Sequence, residues 1–525
     1  MALDGAGNYQ PVTDTSSAAP DVPRAGRSFS IGRAGAAARP ATPKATLILR
    51  WVPSTVIGLA GLALLWSRLI EINQGLWGDE AISVVRYIDP GPSAIWDPSR
   101  WLPNDHMLFE LLTWATTGIL GSHVASTYRL WSVLPAMAAG ALMTWWLWRR
   151  LDRWTAAIFA VLATAAPLYL NLSWQARGYG LCFLAAVVVV IGADLVVTSG
   201  SRSGMLLFCV GGFVGMATLQ NFVGMFVAAA LMIALIPTRR RAAIIALVAT
   251  GVATLIWYSP LLSLIIGYQN QFGRPLAWDG FVVAPFRDLF GAGVNQLYPS
   301  ISVFAGAIVA ALAVALGLIE LWRRSERPLA ALLLVPSLAT YLLIEIAAKY
   351  TPRFASFAIL PLIALAAVGL AGLGLRIARV RGLAPVMVVV FVALALLVLG
   401  RFVRYAGAFA QVPYEAGNTA AEIVDGFDPP NGRIPILSND AFGTFGIYSA
   451  PRRSLTAPAS VLLQAFCTYR GRLVYLEQEK APPYPSTACL SRRGAWRIEI
   501  PQRRARLWVW LVPPMNRGSA VRSQP

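Results

Sequence analysis

The stretch APVMVVVFVALALLVLG, residues 384–400, carries no charge and no polar side chain able to hydrogen-bond outward. A run of that length and composition is what a bilayer requires of a spanning helix, about 20 apolar residues. Similar runs recur along the chain, at 51–70, 130–148, 156–172, 179–197, 205–219, 222–236, 242–258, 301–321, 329–347 and 354–375. They predict an all-α polytopic membrane protein of about eleven spans, since nothing but a helix satisfies its own backbone at each of these positions in lipid.

The rest of the composition agrees. Hydrophobic residues make up 57% of the 525 and charged residues 13%, against about a quarter charged in soluble domains. The net charge of +19 does not point to nucleic acid. The arginines fall at the ends of apolar runs, as at Arg149-Arg150, Arg239 to Arg241, Arg323-Arg324 and Arg376 to Arg381, and do not gather on one face. Short basic loops mark the cytoplasmic side. Counting from a cytoplasmic N-terminus, the loops at Glu71, Gln175, Gln220, Ser259 and Lys349 fall outside, and an odd number of spans puts the C-terminal part outside too. An even number would reverse it.

Residues 1–44, rich in Ala, Gly, Pro, Ser and Arg, have no apolar period and are expected to be a disordered cytoplasmic tail. Residues 45–403 form the membrane domain, with a long outer loop at 71–128 that includes an amphipathic surface segment from Met107 to Leu120. Residues 404–525 read as a small soluble α/β or α+β domain. A helix is expected at 418–426 and strands at 433–437, 473–476 and 506–512, with Pro/Gly turns between. Cys182 and Cys209 lie in apolar runs, while Cys467 and Cys489 lie in the C-terminal domain, where an oxidising compartment would allow them to pair.

Charges are costly in and around a membrane domain, so their positions carry information. Asp79 and Glu80 follow the first span. Adjacent carboxylates can divide labour between a base and an orienting group, and they also suit the first turn of a helix. Asp105 and His106 open the surface segment, where Asp105 reads equally as a helix cap. Arg177 and Tyr179 stand at the outer end of a span, either as interfacial anchors or as a grip on phosphate. Lys349 and Arg353 place two cations where outer loops rarely carry them.

In this order and outer placement, these clusters resemble the GT-C superfamily of membrane glycosyltransferases, in its protein O-mannosyltransferase-like and aminoarabinose-transferase-like branch. The likeness runs from Trp51 to Leu375. It rests on Asp79-Glu80, Asp105-His106 with Leu108, Arg129 ahead of a span ending in Arg149-Arg150, Arg177 with Tyr179, and Arg353 ahead of Leu360-Pro361-Leu362. The resemblance implies an inverting glycosyltransferase of the bacterial inner membrane that takes a sugar from a polyprenyl-phosphate donor. The acceptor would be a hydroxyl of a glycan, lipid or protein on the outer face. Asp79 would be the base and Glu80 its support. Arg177, Tyr179, Lys349 and Arg353 would hold the donor phosphate, and Asp105 and His106 would serve the acceptor side. Some relatives use a divalent cation, Mg or Mn, and others none, so a metal stays open. Many relatives have His-Pro-Pro-Leu where this chain has His106-Met107-Leu108. A transporter or flippase of lipid-linked saccharide is the alternative. It would show charges near mid-bilayer or two repeated halves, whereas Asp194, Glu320 and Glu345 sit near span ends.

Overall fold

The computed structural model describes residues 43–76, 78–102, 105–269, 283–291, 303–346, 352–380 and 383–411, and in the C-terminal part 436–438, 454–455, 472–478, 490, 494–500 and 507–514. Residues 1–42, where a disordered tail is expected, lie outside the described residues. Lys349, Cys467, Cys489 and the helix expected at 418–426 lie outside the described residues.

The principal helices are α1 (Pro43–Glu71), α2 (Gly78–Ser83), α3 (Met107–Leu120), α4 (Ala125–Arg150), α5 (Arg153–Ala165), α6 (Tyr179–Ser199), α7 (Arg202–Thr218), α8 (Val223–Ala234), α9 (Arg240–Tyr258), α10 (Val303–Arg323), α11 (Arg327–Ile346), α12 (Ile359–Ala378) and α13 (Leu383–Gln411). Among the described residues, eight helical segments are long and apolar enough to cross a membrane, and they coincide with eight of the expected spans. The other three, at 156–172, 205–219 and 222–236, meet the shorter apolar helices α5, α7 and α8. The first of these is shorter than expected because α5 ends at Ala165, with Ala166 extended before Pro167. Proline cannot donate the amide hydrogen that an uninterrupted helix needs there. At the other end of the domain α13 runs on to Gln411, past the Val403 expected.

Local chemistry sets the joints. Asp152 caps α5 by accepting the Thr155 amide at 2.8 Å, and Ser201 caps α7 by accepting the Gly204 amide at 3.1 Å. Gly200, at φ 67°, lets α6 turn back into α7 within two residues. The helices then pack closely through small residues, as membrane helices do in the absence of a hydrophobic drive between them. A Cβ on Gly180 would overlap the Ser132 carbonyl of α4, and one on Gly317 of α10 would overlap the Leu365 carbonyl of α12. The most enclosed spans are α6 and the segment of α12.

One end of the bundle is tied by ion pairs. Arg150 reaches Asp194 at 3.1 Å and Glu326 at 2.6 Å. Arg324 reaches Asp152 at 3.1 Å and Glu320 at 3.0 Å, and Arg376 also pairs with Glu320. Asp194 and Glu320, near span ends in the sequence, thus hold helix ends together. The opposite ends of α4, α6 and α12 carry Arg129, Tyr179 and Arg353.

The C-terminal strands are β1 (Ile436–Ser438), β2 (Ser454–Leu455), β3 (Leu473–Gln478), β4 (Trp496–Ile500) and β5 (Leu507–Val512), in a sheet of order β2-β1-β3-β5-β4. β1 is parallel to β2 and β3, while β5 is antiparallel to β3 and β4. Leu473, Tyr475, Trp510 and Val512 bury one face. β1, β3 and β5 fall where the alternation predicts strands; β2 and β4 were not foreseen.

Candidate active site

The site is organised around Arg129, which is fully buried. Its Nε and Nη2 donate to the two carboxylate oxygens of Glu80 at 3.1 and 2.7 Å. Such a fork-to-fork pairing is among the strongest side-chain contacts available. Its remaining hydrogens satisfy the carbonyls of Glu71, Ile72 and Gly75 at 3.0–3.3 Å, and that of Gln74. The same guanidinium lies 4.6 Å over the Trp174 ring. Arg129 therefore winds the chain leaving α1 into one shape. Glu80 also accepts the Ala176 amide, which fastens α2 to the segment before α6.

With Glu80 turned inward, Asp79 faces the other way and is partly exposed, 22% at its side chain. Its Oδ2 accepts a hydrogen bond from Arg353, and Arg177 Nη1 lies 3.6 Å from the same oxygen. Arg177 also donates to the Asp79 carbonyl at 3.2 Å. Arg353 stands in the short turn Pro352–Phe354 that leads into α12. Arg177 is buried and its backbone is bound to Ser132 of α4. Three separate parts of the chain thus converge on one carboxylate. The helix-start reading of Asp79-Glu80 holds, since the pair stands in the first turn of α2.

Behind Arg177 lies a buried polar group. His106 packs edge-on against Tyr179, ring centroids 4.8 Å apart. Neither His106 ring nitrogen, nor the Tyr179 hydroxyl, nor either oxygen of Glu110 has a hydrogen-bond partner among the described residues. The close approach depends on Gly178, where a Cβ would overlap Thr218 and stand 3.0 Å from His106 Nδ1. Asp105, expected as the cap of α3, instead accepts the Leu102 amide at 2.7 Å, and His106 occupies the cap position. The loop doubles back before the helix begins, so the carboxylate meets an upstream amide and not those of the first turn.

Burial governs the titration of this group. It raises Asp105 to about 7 and raises Glu110 well above the usual carboxylate range, with the neighbouring Asp105 charge adding to the latter. It lowers His106 well below the usual imidazole value, helped by the charges of Arg177 and Arg353. Charge is disfavoured wherever water is excluded and no counter-ion compensates.

Glu110 was missed in the sequence. The signal available was its position four residues after His106, as the single acid of the surface segment. Tyr179 and His106 come together, and Asp79 joins Arg177 and Arg353. Tyr179 lies beside this cluster, not on Asp79. Asp79 Oδ2 and both oxygens of Glu80 are engaged by guanidinium groups. Among the described residues no three His, Cys, Asp or Glu side chains are grouped to hold a metal.

The helical architecture is that of a polytopic membrane protein, and its fold is shared with solved structures. ArnT from Cupriavidus metallidurans in the apo state superposes with a TM-score of 0.53 at 13% identity, over 89% of this chain and 98% of that one. ArnT bound to undecaprenyl phosphate gives 0.52 at 14%, over 87% and 98%. The apo oligosaccharyltransferase of Archaeoglobus fulgidus gives 0.50 at 13%, over 82% and 70%. Both neighbours are GT-C proteins. No family model and no curated protein matches the chain in sequence. At this identity the likeness is one of fold, and the chemistry has to be argued from the site.

Proposed function

We propose that the chain is an inverting glycosyltransferase that moves a sugar from a polyprenyl-phosphate donor to a hydroxyl acceptor on the outer face of the membrane. The observation that carries this reading is the single carboxylate of Asp79 set between the guanidiniums of Arg353 and Arg177. The fold it shares with a protein crystallised with undecaprenyl phosphate supports a lipid-linked donor.

In this reading Asp79 takes the proton of the acceptor hydroxyl as its oxygen attacks the anomeric carbon. The bond from that carbon to the phosphate oxygen breaks on the opposite face, so the configuration inverts. The leaving phosphate gains charge, and fixed cations in a site with little water lower that barrier. Arg353 and Arg177 are within reach of both Asp79 and an entering phosphate, with Lys349 assigned to the same clamp. Glu80 acts through Arg129 as a positioning residue. Tyr179 belongs with the arginines on the donor-phosphate side, and Asp105 and His106 serve the acceptor side, the imidazole neutral and able both to donate and to accept. The membrane is the bacterial inner membrane, with the N-terminus cytoplasmic and the domain from Arg404 outside.

The test gives wild type and Asp79→Asn in detergent a panel of radiolabelled polyprenyl-phosphate sugars with crude membrane acceptor. Transfer by wild type and its loss in a folded variant support the reading and name the sugar. Equal transfer by both removes Asp79 from the role of base. Absence of transfer from every donor, with acceptor shown to be present, sinks the enzyme reading in favour of lipid-saccharide translocation.

A further inference from the structure

At the end of α12 opposite Arg353, a cavity of about 400 Å³ opens between the ends of α10 and α12. Its charged lining is Arg323 and Arg324 from one helix end, Arg376 and Arg379 from the other, and a single acid, Glu320. Arg324 and Arg376 both engage Glu320, and Gly372 makes room for that carboxylate, whose Cδ would be 2.8 Å from a Cβ there. Arg323 and Arg379 are exposed and, among the described residues, neither has an ion-pair partner. The pocket therefore holds more positive charge than its own acid neutralises, even though helix carboxyl ends favour cations over anions.

A second cavity, of about 430 Å³, lies beside the first and shares Leu375 with it. Its walls are apolar side chains of α5, α12 and α13. From Ala384 to Val398 it follows α13 for roughly 21 Å, at 1.5 Å of rise per residue. That exceeds one leaflet, which is about half of a ~30 Å hydrocarbon core. Trp154 meets Phe391 edge-on at 5.2 Å near the arginine end, and tryptophan favours the depth of lipid headgroups.

We propose that these two cavities form one binding site for an anionic glycerophospholipid, with its phosphodiester among Arg323, Arg376 and Arg379 and an acyl chain along α13. Basic pockets between spans are where anionic headgroups bind, and each arginine near such a charge contributes. The donor lipid of the proposed reaction is a different occupant, because Arg353 and Arg376 stand roughly 30 Å apart along α12. The site would tie α10, α12 and α13 together from the leaflet side.

Native mass spectrometry of the full chain, stripped of lipid in detergent, tests this with added dioleoyl phosphatidylglycerol or dioleoyl phosphatidylcholine. The expected result is a first phosphatidylglycerol adduct about tenfold tighter than phosphatidylcholine. Arg323→Gln with Arg379→Gln should abolish that preference, whereas Arg240→Gln with Arg241→Gln should keep it. Gly374→Phe fills the groove at a position where the nearest atom to a Cβ is the Met387 methyl at 3.9 Å. It should weaken both lipids while leaving the headgroup arginines in place, and it serves if the double variant does not fold. Equal affinity for the two lipids in wild type overturns the proposal, as does a folded Arg323/Arg379 variant that keeps the preference. Inorganic phosphate that displaces phosphatidylglycerol at equal concentration would assign the pocket to a free anion and overturn the lipid.

Discussion

Arg353 donates a hydrogen bond to Asp79 across 274 positions of sequence. The contact joins the turn before α12 to α2, and it places a cation on the carboxylate that the proposed reaction needs as base. A positioned base contributes about 10²–10⁴-fold to a proton transfer. Asp79→Asn is therefore expected to lose transfer by that range, with an unchanged gel-filtration profile.

Arg353→Gln and Arg177→Gln should each lower kcat by about 10²–10³, the cost of removing one preorganised charge from a developing anion. Arg353→Lys should recover part of the loss. Lysine keeps the charge and gives up the planar fork. Single-turnover rates with the polyprenyl-phosphate sugar that wild type transfers check this, and a loss confined to KM would remove the arginines from transition-state stabilisation.

Glu80 and Arg129 are both fully buried. Removing one partner of such a pair leaves an uncompensated charge and costs about 3–5 kcal/mol. Glu80→Gln should thus lower the melting temperature in detergent more than Asp79→Asn does. Glu80→Leu combined with Arg129→Leu should cost less than the sum of the singles; strict additivity would show that the two do not act as a pair.

Gly180→Ala sets a Cβ against the Ser132 carbonyl of α4. The carbonyl is helix backbone and the Cβ is fixed rigidly to one, so relief requires the helices to separate. A destabilisation of about 1–3 kcal/mol is expected from overpacking of this kind. Because Ser132 also holds the Arg177 backbone, transfer should fall as well. Melting and activity measured on the same sample test both parts.

Asp105 has its pKa raised to about 7 in the folded protein. Between the unfolded value near 3.8 and about 7 the folded state binds the extra proton, so this group's stabilising contribution is lost as pH rises through that window. His106 works in the opposite sense. Its lowered pKa removes stability as pH falls below about 6.5. Asp105→Asn keeps an acceptor for the Leu102 amide and should flatten the decline in melting temperature between pH 5 and about 7.5. An unchanged slope would place the titration elsewhere.

Much of the membrane architecture was legible because a bilayer makes local demands. A span has to satisfy its own backbone hydrogen bonds and be apolar along its length, so residues 384–400 declare a helix with no reference to any other segment. The break at Pro167 was readable in principle for the same reason, since proline acts on its own helix. Arg177 and Arg353 could be singled out as cations on the outer side. Their shared carboxylate could not, because no local pattern says which loops meet.

The sequence by itself determined that the chain crosses a membrane many times, and it singled out Asp79, Glu80, Arg177 and Arg353 as charges in the loops between apolar runs. Only the tertiary structure decided what each does there. Neighbouring residues on a helix point about 100° apart. Once Arg129 had drawn Glu80 into the interior, Asp79 was left facing Arg177 and Arg353. The sequence presents two equivalent acids side by side, and burial of one against a distant arginine is what makes them different.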